Sequence, residues 1–196
     1  MLQIVLWPIF RLFYRFSVSN RSHIPVSGPV LLVANHTSYL DPVLLGLASR
    51  RPIAFMAKAE LFKIPGLGWL IRRLYAFPVQ REGFDRRAVR TALNKLKEGG
   101  VVGIFPQGSR ERGETKEGLP GAALIALKSG AQILPAAILG ADKVIPDGKA
   151  LPRRATIEVR FGEPIQCGTT GEKKEIIEQM TRKIMEEIRT LLDEPA

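Results

Sequence analysis

At 196 residues, with 45% hydrophobic residues and no evident repeat or low-complexity tract, the chain has the size and composition of one folded domain with a substantial core. Its 29 Lys and Arg residues against 19 Asp and Glu give a net charge of +10, which favours nucleic acid, an anionic membrane surface or phosphate-bearing substrates as partners. The single cysteine, Cys167, excludes an intrachain disulfide and lies among turn residues, where we expect an inert thiol.

The first sixteen residues are apolar and aromatic, but they are too short to span a membrane and contain Pro8 and two arginines. A four-residue spacing places Gln3, Trp7 and the arginines on one stripe of a helix, with apolar residues around most of the remaining surface. This pattern is typical of an amphipathic helix in a membrane interface, so we predict a membrane-associating helix over residues 1–20. A helix packed on the core is the competing interpretation. The predicted membrane-contacting residues are Trp7, Phe10, Arg11, Phe13 and Arg15.

Residues 29–34 form an apolar run typical of a buried strand, and a polar cluster at residues 35–42 follows it. His36 and Asp41 would point about 140° apart on a continuous helix, so they can touch only if the chain turns between them. Pro42 favours a helix that begins there with Asp41 as its N-cap. One carboxylate oxygen would accept a helix N–H and the other the imidazole N–H, which leaves the second ring nitrogen as a base. Alternatively, Asp41 only caps the helix and His36 only fills a loop.

A second strand is predicted at residues 53–57, and it leads to Lys58. The segment 60–74 mixes large apolar groups with cations, which suits a lipid surface, an acyl chain or an ordinary helical piece of the core. A third strand is predicted at 75–79, and Gln80 and Arg81 follow it. A helix at 85–98 and a buried strand at 101–105 follow, and the strand ends at a second polar cluster, residues 106–113.

The remaining chain predicts a helix at 119–130, a strand at 132–139, a half-exposed edge strand at 156–161 and an amphipathic helix at 172–192 packed on the domain. Strands that alternate with helices indicate an α/β fold, and we expect a mixed, largely parallel sheet flanked by helices. Ligand sites in such sheets gather beyond the carboxyl ends of strands, so the two polar clusters should face each other. Arg81, Arg110 and Arg112 would then make a phosphate pocket, although each of them taken alone also fits a solvated surface arginine.

Four stretches of the sequence carry a family resemblance. Residues 35–41 read Asn-His-Thr-Ser-Tyr-Leu-Asp, residues 77–81 Phe-Pro-Val-Gln-Arg, residues 105–110 Phe-Pro-Gln-Gly-Ser-Arg and residues 133–138 Ile-Leu-Pro-Ala-Ala-Ile. In this order they resemble the four sequence blocks of the glycerolipid acyltransferases, in particular the 1-acylglycerol-3-phosphate acyltransferases. Gln107 and Ser109 stand where that family usually has glutamate and threonine. Serine keeps the hydroxyl, whereas glutamine keeps only the hydrogen-bonding capacity of a glutamate and loses its charge.

The resemblance implies a single α/β acyltransferase domain over residues 21–196. Such a domain would move a fatty acyl group from an acyl thioester to the sn-2 hydroxyl of 1-acylglycerol 3-phosphate, giving phosphatidic acid. His36 would act as general base, oriented by Asp41, and the hydroxyl would attack the thioester directly. No cofactor, metal or enzyme nucleophile is then expected. The candidate substrate-binding residues are Lys58, Arg81, Gln107, Gly108, Ser109 and Arg110.

The implied partners are lysophosphatidic acid, an acyl carrier protein or coenzyme A thioester, and an anionic membrane surface at the cytoplasmic face of the cell membrane. Glycerol 3-phosphate, a lyso-ornithine lipid or another lysophospholipid is an alternative acceptor. A non-catalytic lipid-binding protein on the same scaffold is a further alternative. We expect no nucleic-acid partner, because the sequence shows no recognised nucleic-acid motif and the apolar N-terminus would have no role there.

Overall fold

The computed structural model describes residues 2–80, 85–108, 118–144, 152–168 and 171–195. Its strands are β1 (Ser17–Ser19), β2 (Val30–Ala34), β3 (Ile53–Lys58), β4 (Phe77–Val79), β5 (Val101–Ile104), β6 (Gln132–Leu139) and β7 (Glu158–Phe161). Its helices are α1 (Leu2–Tyr14), α2 (Asp41–Ala48), α3 (Leu67–Arg73), α4 (Arg86–Lys97), α5 (Gly121–Ser129) and α6 (Lys173–Asp193). Short 3₁₀ turns lie at Arg21–His23, Ala59–Lys63 and Ala141–Lys143.

The described strands form one sheet in the order β1-β7-β6-β2-β5-β3-β4. β6 and β7 run antiparallel, and the other neighbouring pairs of this sheet are parallel. β2 lies between β5 and β6, and all of its residues are buried. A strand covered on both faces needs an uninterrupted apolar sequence, which explains why β2 lacks polar alternation. The predicted mixed, largely parallel sheet is confirmed.

Helices cover both faces of the sheet. α1 and α2 contribute Phe10 and Leu44 to one core, while α4, α5 and α6 contribute Leu96, Ile125 and Ile184 to the other. The crossovers from β2 to β3 and from β3 to β4 run the same way across the sheet, so right-handed connections place α2 and α3 on one face. Because β2 to β5 are parallel, their carboxyl ends share one edge, and both polar clusters begin at that edge.

Most predicted elements are confirmed, with boundaries that shift by one or two residues. The strands predicted at 53–57, 75–79, 101–105 and 132–139 are β3, β4, β5 and β6, and the helices predicted at 85–98, 119–130 and 172–192 are α4, α5 and α6. α6 packs on the domain, as its apolar periodicity predicts, through Ile176, Met180, Ile184 and Ile188.

The strand predicted at 156–161 is present as β7, but the prediction that it is a half-exposed edge strand is wrong. β7 pairs with β6 on one side and with β1 on the other, and its residues Val159 to Phe161 are buried. The alternation misleads because Arg160 is a buried cation whose guanidinium donates to the Glu158 carboxylate at 2.8 Å and to the Leu191 carbonyl at 3.2 Å. β1, a Ser-Val-Ser segment too short to show a periodicity, forms the edge instead.

The N-terminal segment forms a helix, α1, as predicted, but the helix ends at Tyr14 and not at residue 20, because the chain enters β1 at Ser17. Two of the residues predicted to contact a membrane pack against the domain. Phe10 is buried in the first core, and Trp7 is half-buried with its ring 5.2 Å from that of Phe16. The predicted membrane contact of Phe10 is therefore corrected, because its side chain is buried in the domain, while that of the half-buried Trp7 stays a prediction. Arg11, Phe13 and Arg15 are exposed. Within the described residues, no helix combines the length and hydropathy that crossing a bilayer requires.

The Glu158–Arg160 pair predicts a pH-dependent contribution to stability. The hydrogen bond from Arg160, together with one from the Ser19 hydroxyl, lowers the pKa of Glu158 below its ordinary value of 4.5. Such a carboxyl group contributes stability above its unfolded-state pKa and loses that contribution as the pH falls through the folded-state pKa. We expect Glu158→Gln to lower the free energy of unfolding by about 1–3 kcal/mol near pH 7 and by less near pH 3, measured by urea denaturation.

Glu163→Gln is the matched control, since Glu163 is exposed in the loop after β7. It should change the free energy of unfolding by less than about 0.5 kcal/mol at either pH. A Glu158→Gln effect that is as large near pH 3 as near pH 7 would show that the ion pair is not its source.

Candidate active site

The turn between β2 and α2 brings His36 and Asp41 together. Nδ1 of the imidazole lies 2.8 Å from Oδ2 of Asp41, which is fully buried, while His36 is 9% exposed. Because a carboxylate oxygen can only accept, Nδ1 carries the proton and donates it, and Nε2 presents its lone pair. No described residue forms a hydrogen bond with Nε2. The ring is therefore held at one nitrogen and available as a base at the other.

Asp41 does not cap α2, so this part of the prediction is wrong. The helix begins at Asp41 itself, Leu40 occupies the N-cap position, and no side chain caps the helix. The carboxylate points back into the preceding turn, where the N–H groups of Thr37 and Ser38 donate to Oδ2 at 2.7 and 2.8 Å. Oδ1 is buried without a hydrogen-bond partner among the described residues. Pro42 does mark the start of the helix, as predicted.

Asn35 fixes the point from which this turn departs. Its side-chain amide donates to the Ile138 carbonyl at 2.9 Å, and its Oδ1 accepts the Ile138 N–H at 2.7 Å. These bonds continue the β2–β6 ladder beyond its last main-chain pair, Ala34 with Ala136. The buried backbone groups of Ile138 are satisfied in this way, and the segment that carries His36 starts from a fixed position.

The segment that follows β5 holds the other sides of His36. Oε1 of Gln107 accepts the His36 backbone N–H at 3.0 Å. The Phe105 ring stacks on the imidazole, with ring centroids 4.1 Å apart and planes inclined by 17°. The predicted meeting of the two polar clusters is therefore confirmed. The role of Gln107 is more specific than predicted, because its oxygen is occupied by the main chain of His36.

A second aromatic ring supports the first. Phe55, on β3, stacks on Phe105 with centroids 5.8 Å apart and planes inclined by 10°. Its ring passes over Gly103 so closely that a Cβ atom at that position would collide with it. Glycine at this point of β5 therefore permits the Phe55–Phe105–His36 stack. The sequence gives no signal for this stack beyond a glycine inside an apolar strand.

Two other predicted site residues, Lys58 and Gly108, lie at the carboxyl ends of β3 and β5. Lys58 is exposed at the end of β3, where its ammonium lies 3.7 Å from a carboxylate oxygen of Glu60. Gly108 has a φ of +73°, and its N–H donates to the Phe105 carbonyl, so it closes the turn after β5. Four predicted site residues lie outside the described residues. They are the three arginines of the predicted phosphate pocket and the serine of the third sequence block: Arg81, Arg110, Arg112 and Ser109.

The remaining candidates for chemistry are metal-binding clusters, the cysteine and the second histidine. Among the described residues, no cluster of three or more His, Cys, Asp or Glu side chains could hold a metal ion. Cys167 packs against the second core, and burial raises the pKa of its thiol, so little nucleophilic thiolate forms near neutral pH. The chain's other histidine, His23, places Nδ1 3.2 Å from the Phe161 carbonyl.

The chain is similar to known proteins in sequence. Residues 15–139 match the acyltransferase family model. The chain is 32% identical to the 1-acyl-sn-glycerol-3-phosphate acyltransferase of Bacillus subtilis, over 89% of this chain and 86% of that protein. It is 34% identical to the lyso-ornithine lipid O-acyltransferase of Pseudomonas aeruginosa, over 62% of this chain and 47% of that protein.

A solved structure is also similar. The crystal structure of the 1-acyl-sn-glycerophosphate (LPA) acyltransferase PlsC from Thermotoga maritima superposes with a TM-score of 0.75 at 30% identity, covering 94% of this chain and 75% of that one. The family match includes β2, the His36–Asp41 turn, β5 and Gln107. From its sequence and its fold together, this chain belongs to the acyltransferase family.

Proposed function

We propose that this chain transfers a fatty acyl group from an acyl thioester to the sn-2 hydroxyl of 1-acylglycerol 3-phosphate, giving phosphatidic acid. The observation that carries the proposal is the His36–Asp41 pair at the carboxyl edge of the sheet, where a buried carboxylate holds Nδ1 and no described residue forms a hydrogen bond with Nε2. Membership of the acyltransferase family and the name of the Bacillus subtilis relative supply the reaction class and the acceptor.

In the proposed reaction, Nε2 of His36 takes the proton of the acceptor hydroxyl as its oxygen bonds to the thioester carbonyl carbon. The tetrahedral intermediate then collapses, the carbon–sulfur bond breaks, and the imidazolium returns the proton to the leaving sulfur. Asp41 stabilises the imidazolium and fixes its tautomer. Because Oδ1 of Asp41 has no hydrogen-bond partner among the described residues, the carboxylate charge is incompletely compensated until the imidazolium forms.

Binding of the acceptor phosphate is assigned to Arg81 and Arg110. Arg81 follows β4 by two residues and Arg110 follows β5 by six, and both strands end at the edge where β2 delivers His36. A guanidinium recognises phosphate through two parallel N–H donors. The acyl donor is a thioester of acyl carrier protein or coenzyme A, and it serves as a co-substrate with no further cofactor.

A lyso-ornithine lipid is the second candidate acceptor. The similarity to the Pseudomonas aeruginosa lyso-ornithine lipid O-acyltransferase favours it, and the His36–Asp41 pair would activate its hydroxyl in the same way. Either acceptor resides in a bilayer, so we place the chain as a peripheral protein on the cytoplasmic face of the cell membrane. The exposed Leu12 and Phe13 of α1, next to exposed Arg11 and Arg15, support this placement.

The first prediction from the proposed function concerns the general base, His36. Purified protein should form phosphatidic acid from lysophosphatidic acid with an acyl thioester of either carrier. His36→Ala should lower kcat by about 10²–10⁴-fold, because the group that takes the hydroxyl proton is removed. Asp41→Asn should also lower kcat, since its amide oxygen still accepts the N–H groups of Thr37 and Ser38 but the charge that stabilises the imidazolium is gone.

His23→Gln is the control histidine variant and should retain full activity. Undiminished product formation by His36→Ala would refute the base assignment. If wild-type protein makes no product with any combination of the two donors and the two acceptors, the non-catalytic lipid-binding interpretation is favoured instead. Circular dichroism and thermal melting of each variant would show that lost activity does not reflect lost folding.

The second prediction separates positioning from substrate binding at Gln107. Gln107→Ala removes the acceptor for the His36 N–H and should lower kcat about tenfold or more, while the KM for lysophosphatidic acid stays within about twofold. Gln107→Glu keeps an oxygen in place and should stay close to wild-type kcat. If KM rises and kcat is unchanged in both variants, Gln107 contacts the substrate rather than positioning His36.

The third prediction concerns the phosphate. Arg81→Ala and Arg110→Ala should each raise the KM for lysophosphatidic acid by about tenfold or more, because a charge-assisted bidentate hydrogen bond is lost. Arg90→Ala, at an exposed position of α4, is the matched control and should leave KM unchanged. An unchanged KM in both site variants would show that other groups bind the phosphate.

A further inference from the structure

The crossover between β3 and β4 exposes an unusual amount of apolar surface. α3 reads Leu-Gly-Trp-Leu-Ile-Arg-Arg, and Gly68 is its only buried residue. Trp69 is 65% exposed, and Tyr75, just after the helix, is 59% exposed. A helix that is apolar around most of its circumference is normally buried in a core or in lipid. We define the α3 surface by its exposed apolar residues Ile64, Leu67, Trp69, Leu70 and Tyr75 and its exposed cations Lys63, Arg72 and Arg73.

The charges of the α3 surface are all of one sign. Between residues 61 and 80 the chain has three cations and no Asp or Glu. The Arg73 guanidinium lies 5.8 Å from the Trp69 ring centroid, and that of Arg72 lies 5.3 Å from the Phe62 ring. Within the described residues, neither guanidinium forms an ion pair with a carboxylate. Aromatic rings and cations that have no ion-pair partner among the described residues therefore share one exposed patch.

Gly68 lets the backbone of α3 approach the rest of the domain closely. A Cβ atom at this position would collide with the Phe62 carbonyl, so α3 packs closely against the 3₁₀ turn that precedes it. The Gly68 N–H also donates to the Ile64 carbonyl at 2.8 Å. The small residue thus faces the protein, and the large residues on either side of it face outward.

The α3 surface begins near the candidate active site. The 3₁₀ turn Ala59–Lys63 starts at the carboxyl end of β3, the same edge at which β2 delivers His36. β3 and β2 are separated in the sheet by β5 alone, and neighbouring strands lie about 4.8 Å apart, so the two strand axes are about 10 Å apart. A lipid surface in contact with α3 would therefore lie beside the edge where the acyl transfer is proposed.

We propose that the α3 surface docks the protein on an anionic phospholipid bilayer, with Trp69 and Leu70 in the headgroup and upper acyl region and Lys63, Arg72 and Arg73 at the phosphates. This proposal rests on the proposed function, because an acceptor that resides in a bilayer must reach Nε2 of His36 from a membrane. Exposed cations beside exposed aromatic rings match an anionic bilayer in both charge and polarity. A second copy is a poorer match, since a symmetric contact would bring two sets of cations together.

Trp69 supplies a direct probe, because the chain has only two tryptophans. In Trp7→Phe, emission reports on Trp69 alone. With vesicles of phosphatidylcholine containing phosphatidylglycerol, we expect a blue shift of this emission and quenching by brominated acyl chains. Pure phosphatidylcholine vesicles should produce a much smaller change, because the cations then lack a partner. Absence of both the shift and the quenching on anionic vesicles would overturn the proposal.

Substitutions then test the surface in the full chain. Trp69→Ser combined with Leu70→Ser should reduce co-sedimentation with anionic vesicles by about tenfold or more. Arg72→Gln combined with Arg73→Gln should reduce the preference for anionic over neutral vesicles. Val26→Ser is the matched control, since Val26 is 91% exposed and precedes β2, at the opposite end of that strand from His36. It should bind as the wild type does.

Parallel variants Leu12→Ser and Phe13→Ser measure the contribution of α1. Vesicle binding that is lost in these variants and unchanged in the α3 variants would overturn the docking role of α3. A concentration-dependent dimer that Trp69→Ser dissociates, together with wild-type vesicle binding by that variant, would assign the surface to self-association and would likewise overturn the proposal.

Two activity assays separate this proposal from the proposed function. With a short-chain, monomeric lysophosphatidic acid and no vesicles, the α3 variants should keep wild-type kcat/KM. With a long-chain acceptor in anionic vesicles, they should lose about tenfold or more. If wild-type protein shows no acyl transfer in either assay while Trp69 still enters anionic vesicles, the proposed function fails and the docking surface stands. Equal activity of wild type and α3 variants on vesicles would refute the docking surface and leave the function intact.

Discussion

Three N–H groups converge on a single buried oxygen, Oδ2 of Asp41, and the geometry of the candidate site depends on this convergence. A buried carboxylate is costly unless donors replace its water. The donors here come from the imidazole of His36 and from the backbone of the two residues that follow it. The turn and the orientation of the ring are therefore coupled, because the Asp41 carboxylate receives all three hydrogen bonds only when the turn is formed and the imidazole faces it.

The surrounding fold then restricts the ring from its remaining sides. β2 and β5 are neighbours, so the residues that follow them meet without long loops. Asn35 ties the end of β2 to β6, Gln107 holds the main chain of His36, and Phe105 fixes the plane of its ring. A base that is positioned before substrate arrives does not lose free energy to reorganisation during the reaction. Glutamine serves here because the contact requires an accepting oxygen and not a charge.

Much of the fold could be predicted from the sequence, because long apolar runs and helical periodicities are local signals. The strands β2, β5 and β6 and the helices α4 and α6 are examples. The edge strand β1 could not be predicted, since Ser-Val-Ser is too short to show a periodicity, and without β1 the alternation in β7 wrongly indicates an edge strand. An arginine in an alternating strand indicates a solvated side chain, and no local pattern shows that Glu158 and the end of α6 bury Arg160.

The candidate site shows the same division. His36 and Asp41 are close in sequence, so their pairing was predictable from the need for a turn between them. The direction of the Asp41 carboxylate was not, because Pro42 signals a helix start and cannot reveal that donors in the preceding turn compete with the helix for that side chain. The contact between Gln107 and His36 joins residues 71 positions apart and has no local signal.

Gly103 shows how far the determinants of the site extend from its chemistry. It has no functional group, yet the space above it lets Phe55 lie flat, and Phe55 in turn supports the ring that supports His36. A chain with an identical sequence at residues 35–41 but a bulkier residue at position 103 would keep His36 and Asp41 but lose the supported Phe105 ring on which the imidazole stacks. The motif thus identifies the reacting groups, while the orientation of the base also depends on a glycine of β5, the strand beside β2 and two strands from the Asn35 contact on β6.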